Sequence, residues 1–136
     1  MQILAITRDL FFLGKLKAAI QNLPAEGNEA WVGVFARNEA DFREKLAQNS
    51  FQAALIDTQA NQFDWQGLIQ SAIAENVPVL AFGRHTEPQL LRQARAAGAY
   101  KAVANSAIVT KLASLLQQRH LNPPALPSYN DYEIEE

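Results

Sequence analysis

Residues 77–104, VPVLAFGRHTEPQLLRQARAAGAYKAVA, read as one complete strand–helix–strand unit. The apolar run at 77–82 stops at Gly83 and has the length of a buried strand, with Pro78 near its start, where a missing N–H is tolerated. Thr86 and Pro88 then mark a helix start, because proline's fixed φ suits the first helical positions. Gly98 ends that helix in the manner of a left-handed cap, and residues 100–104 return as a weaker strand. A connection this long is no hairpin, so the two strands are expected to run parallel.

Working outward, the same unit recurs. A strand at 3–6 precedes a helix whose apolar members Leu10, Leu13, Leu16 and Ile20 recur at spacings of three and four. Pro24, Gly27 and Asn28 break the chain before a strand at 30–35, and Asn38 caps a helix over 39–48. A third strand at 53–56 ends at Asp57. A polar loop with Asn61 and Gln62 follows, and Asp64 caps a helix over 66–74. Ser106 is expected to cap a final helix reaching about residue 119. Five such pairs predict an α/β fold with a parallel sheet covered by helices on both faces. Ligands gather at the carboxyl ends of such strands, which directs attention to Thr7, Arg8 and Asp9, Arg37, residues 57–59 and 83–86, and Asn105.

Composition narrows the function. At 136 residues the chain fits one domain, and 49% hydrophobic with 19% charged residues is the composition of a folded globule. A net charge of -2 leaves no general attraction to nucleic acid or anionic lipid, so neither is expected as a partner. The absence of cysteine excludes disulfides, thiol catalysis and thiolate metal sites. Arg8 and Asp9 interrupt the apolar start before a signal-peptide core develops, and no run approaches the roughly 20 apolar residues of a membrane span. A cytoplasmic location is expected. Residues 121–136, with Pro123, Pro124, Pro127 and an acidic end, are expected to form a mobile tail, whose Tyr129, Tyr132 and Ile134 could dock on a partner.

Over residues 1–120 the strand-end pattern resembles the receiver domain of bacterial response regulators. The resemblance rests on residues 51–57, FQAALID, which look like the strand delivering the phosphoacceptor aspartate, with Asp64 and Gly67-Leu68 like the following helix start. Residues 78–82, PVLAF, and 94–99, ARAAGA, are similar to the fourth strand and the end of the fourth helix. It implies a flavodoxin-like, CheY-like (βα)5 three-layer sandwich with strand order 2-1-3-4-5. It also implies Asp57 as phosphoacceptor, an acidic pair after the first strand holding Mg²⁺, a Ser or Thr after the fourth, and a Lys after the fifth. A divalent cation and a Lys are needed there to offset the charge of an incoming phosphoryl group.

The chain departs from that pattern. Thr7 and Arg8 stand for the acidic pair, Gly83 for the hydroxyl residue, and Asn105 for the Lys. A single carboxylate holds Mg²⁺ poorly, and Arg8 is expected to pair with Asp57 in the metal's place. No metal or cofactor is therefore expected. Read without the resemblance, Asp57 is a strand-end carboxylate capping a loop. His85 and His120 are too isolated for a metal site, while Arg84, His85 and Thr86 could contact an anion near a helix start. Residues 11–13, FFL, cannot all face one side of a helix, which makes Phe11 and Phe12 interface candidates.

The expected function is a non-enzymatic, atypical receiver-like signalling module, working through another signalling protein such as a histidine kinase or output protein, or through a homodimer. Two alternatives stand beside it. One is a phosphoacceptor response regulator using Asp57, and the other is a small-ligand sensor in the strand-end cleft.

Overall fold

Strands β3 (Ala53–Asp57) and β4 (Val79–Gly83) are buried at every position, as strands covered on both faces must be. They lie at the centre of a five-stranded parallel sheet in the order β2-β1-β3-β4-β5, with β1 at Gln2–Ile6, β2 at Val32–Phe35 and β5 at Lys101–Ala104. This is a computed structural model, and it describes residues 1–59 and 63–120. The expectations for Asn61, Gln62 and the acidic tail lie outside the described residues.

Alternation along the strands divides the core in two. Leu4, Ile6, Ala54, Ile56, Val79 and Ala81 face Phe42, Leu68, Ile69 and Leu91 of α2 (Glu39–Gln48), α3 (Trp65–Ala74) and α4 (Pro88–Ala97). The alternate residues Ile3, Ala5, Leu55, Leu80 and Phe82 face α1 (Leu10–Gln21), α5 (Asn105–Thr110) and α6 (Leu112–Gln117). Trp31 and Trp65 are both buried, one in each layer.

The caps explain the helix starts. Asp9, Asn38 and Asp64 each accept a bond from the backbone N–H three residues on, at 3.1, 2.8 and 3.1 Å. Gly98 ends α4 at φ 125°, a conformation that favours glycine.

Two expectations need correction. The residue preceding α4 is Glu87 rather than Thr86, and it makes no side-chain capping bond. The final helix is not continuous to residue 119, nor capped by Ser106. It starts at Asn105, breaks at Lys111, resumes as α6 and ends in a 3-10 turn at Gln118–His120. The break has a local cause: the Thr110 hydroxyl donates to the Ser106 carbonyl at 2.8 Å, a back-bond that bends helices.

Candidate functional site

The parallel register brings three chain segments together at the carboxyl end of the sheet. Ile6 lies opposite Ile56 and Asp57 opposite Phe82, so Thr7, Asp57 and Gly83 emerge side by side. Asp57 is the last residue of β3 and is 3% exposed.

Thr7, not Arg8, engages this carboxylate. The Thr7 hydroxyl donates to Asp57 Oδ2 at 2.6 Å, and Thr7 Oγ1 in turn accepts the Asp9 amide at 3.2 Å. Arg8 is exposed, and among the described residues no ion pair joins it to Asp57. The expected Arg8–Asp57 pair is thus corrected. Strand alternation explains the difference, because Thr7 continues β1 toward its neighbour whereas Arg8 turns outward as the chain enters α1. Asp9 contributes its Oδ1 to the Phe12 amide, which starts that helix.

Burial pushes the Asp57 carboxyl up to about 6, opposed mainly by the Thr7 hydroxyl and reinforced by the charge of Asp9. The Gln59 amide and the more distant Arg84 charge pull it down. Among the described residues, Asp57 Oδ1 is buried without a hydrogen-bond partner, as is Asn105 Oδ1. Both orphaned atoms are acceptors.

Gly83 is explained by its neighbour. Thr58 donates its hydroxyl to the Phe82 carbonyl at 3.1 Å, and a Cβ on Gly83 would collide with Thr58 Oγ1. A threonine beside Asp57 therefore fills the space in which a side chain after β4 would start. The sequence places Thr58 among the strand-end residues 57–59 without assigning it a role; the available signal was a Thr directly after the strand-ending acid, with a Gly where a side chain is expected.

The anion-contact candidates follow β4 directly. Arg84, His85 and Thr86 are exposed, and Arg84 reaches Glu87 at 3.8 Å. Glu87 puts a carboxylate at the start of α4, where an anion would otherwise be favoured. Phe12 is buried against Phe82 at a ring separation of 5.2 Å, which removes it as an interface candidate. Phe11 and Leu10 are 91% and 79% exposed.

The residues do not fit the Mg²⁺ that the receiver resemblance implies. Thr7 aims a proton at Asp57 Oδ2, Asp9 is committed to the helix cap, and no described cluster of three or more His, Cys, Asp or Glu could hold a metal ion.

Solved structures supply the comparison. The isolated receiver domain of RcsB from Salmonella enterica serovar Typhimurium, in its apo form, matches at TM-score 0.71 and 13% identity, covering 94% of this chain and 93% of that one. The response regulator domain of Thermotoga maritima CheB matches at TM-score 0.71 and 15% identity, covering 90% and 98%. The receiver domain of Francisella response regulator 1452 matches at TM-score 0.69 and 12% identity, covering 88% and 96%. No protein-family model matches the chain, and no curated protein does. The architecture is the flavodoxin-like α/β sandwich with an acid at the end of its central strand. Within that class, the fold is that of a response-regulator receiver domain.

Proposed function

We propose that this chain is an atypical receiver-like signalling module that acts by binding another protein, without Mg²⁺-dependent phosphorylation and without enzymatic activity. The observation that carries this reading is the Thr7 hydroxyl bonded to Asp57 at 2.6 Å, in the place where the resemblance calls for a metal-binding acid. Phosphoryl transfer to a carboxylate depends on cations that neutralise the developing charge. Here the first-strand acids, the strand-4 hydroxyl and the strand-5 Lys are replaced by Thr7 and Arg8, Gly83, and Asn105. The exposed Leu10–Phe11 pair at the mouth of the site supports protein binding, since exposed aromatic side chains favour interfaces.

Incubation of the protein with acetyl phosphate and Mg²⁺, read by intact mass, tests this. The expected result is no acyl phosphate at Asp57. Stoichiometric labelling there would overturn the reading and establish the phosphoacceptor alternative.

A second reading, a small-ligand sensor, draws support from the two orphaned acceptors, Asp57 Oδ1 and Asn105 Oδ1. Buried polar atoms without partners are costly, so a ligand for this cleft brings donors. A thermal shift screen against amino- and guanidino-bearing metabolites tests it; a shift abolished by Asn105→Leu would favour this reading over the first.

A further inference from the structure

A cavity of about 500 Å³ lies at the amino end of the sheet, the end away from Asp57. Phe51 and Gln52 border it from the entry to β3, Val77 and Pro78 from the entry to β4, and Ile73 from the last turn of α3. Its volume falls within the range of small-molecule sites, about 300 to 1,000 Å³. Phe51 and Val77 belong to the core and Ile73 packs on it, so the apolar part of the wall is preformed.

The polar part of the wall offers donors. Gln52 Oε1 accepts the Gln2 amide at 2.6 Å, which leaves the NH₂ of Gln52 as the group it can present. Arg119, only 8% exposed, also lines the cavity, and its guanidinium holds five N–H groups in one plane. Nη1 and Nη2 clasp Glu26 end-on at 3.1 and 2.9 Å, and Nη1 also meets the Leu116 carbonyl at 2.8 Å. The two N–H groups left over, on Nε and Nη2, share one edge. Nε is buried and has no acceptor among the described residues. Two parallel donors along a guanidinium edge match the two oxygens of a carboxylate. His120 lines the same cavity and adds a positive charge when protonated, and none of the described lining residues is acidic.

We propose that this cavity binds a small carboxylic acid with an aromatic or branched apolar body. The body fills the space between Phe51, Ile73 and Val77, and the carboxylate takes the open edge of Arg119 and the NH₂ of Gln52. Because Nε is closed to water, binding includes a shift of the last turn, Gln118–His120, which carries Arg119. The clasp on Glu26 stays in place, since it uses the other edge of the guanidinium. The site is built at the amino end and does not depend on the signalling role proposed above.

NMR titration of the 136-residue chain with phenylacetate, naphthylacetate, phenylacetamide and phenethylamine tests the site. Both acids are expected to move the amide signals of Ile73, Val77 and His120 saturably, with a Kd of about 1 mM, while those of Thr7 and Gly83 stay still. Phenylacetamide binds about tenfold more weakly than phenylacetate, and phenethylamine gives no saturable shift. Arg119→Lys, which keeps the charge but loses the fork, weakens phenylacetate about tenfold. Gln52→Ala weakens it about threefold and leaves the clasp intact, so it serves even where the Arg119 variant fails to fold. No saturable shift with either acid, equal binding of acid and amide, or an affinity that every folded variant retains would overturn the site. Shifts confined to Thr7 and Gly83 would place the acid in the carboxyl-end cleft and overturn it as well.

Discussion

The two ends of the sheet each bury a charged side chain, and they treat it in opposite ways. At the amino end, Arg119 has a bidentate carboxylate in Glu26, the Leu116 carbonyl at 2.8 Å and the face of Trp31. Its partner Glu26 is held below the usual carboxylate range by the Arg119 hydrogen bond. At the carboxyl end, Asp57 is held mainly by the Thr7 hydroxyl, its Oδ1 has no hydrogen-bond partner among the described residues, and its carboxyl is pushed up to about 6 by burial. Both are inside and each keeps one buried polar atom without a partner among the described residues, Arg119 Nε and Asp57 Oδ1, but the Arg119 charge is met by the carboxylate of Glu26 whereas no ion pair meets that of Asp57. A buried acid whose charge no cation meets costs stability, which is why the carboxyl end is the candidate site.

The sharpest way to break the carboxyl end is steric. Gly83→Ala is expected to cost about 3 kcal/mol, because its Cβ would collide with Thr58 Oγ1 against the fixed strand backbone. In a Thr58→Ala background the cost should fall to about 1 kcal/mol, the next contact being Leu91 at 3.3 Å. Denaturant unfolding of the four-protein cycle measures this; additive costs would refute the interlock.

At the amino end, Arg119→Ala is expected to cost about 2 kcal/mol, from lost stacking and the lost charge-assisted bonds. Arg119→Lys should not restore it, since an ammonium cannot reproduce the fork that meets Glu26. Equal stability of the Lys variant and the parent would reduce the clasp to a simple charge contact.

Asp57→Asn sharpens the contrast through pH. The folded carboxyl titrates at about 6 and the ordinary value is 3.8, so between them the native state keeps a proton that the unfolded chain releases. Native stability therefore falls as pH rises through this window. The variant is expected to be more stable than the parent by up to about 3 kcal/mol at about pH 7.5, with the difference gone by about pH 3. A pH-independent difference would place the effect in packing rather than in charge.

The smallest effect belongs to Phe11→Ser, which should move stability by less than about 0.5 kcal/mol because the ring is 91% exposed. A larger loss would mean that Phe11 supports the fold rather than a partner.

Much of this architecture was legible in the sequence because its signals are local. Asn38 with the acidic first turn of α2, Asp64 before α3 and Gly98 after α4 each act within a few residues, and each lies where the pattern puts it. The site was legible only in part. The strand-end set of Thr7, Asp57 and Gly83 does converge, because parallel strands bring their carboxyl ends to one edge. The partner of Asp57 was misread as Arg8, since charge favours Arg but the direction of a side chain at a strand's end is set by the pleat. The break at Lys111 was missed because no Gly or Pro announces it.

The order of apolar runs and caps was enough to specify the parallel α/β sandwich, and the departures from the receiver pattern it resembles, at Thr7, Arg8, Gly83 and Asn105, were visible as plain residue identities. What only the folded chain decided was pairing across long separations. Thr7 meets Asp57 fifty residues away, Thr58 fills the space above Gly83, and Arg119 meets Glu26 across 93 residues. Hydrophobic period and capping act between near neighbours, whereas burial, hydrogen-bond satisfaction and steric fit exist only once distant segments share the same space.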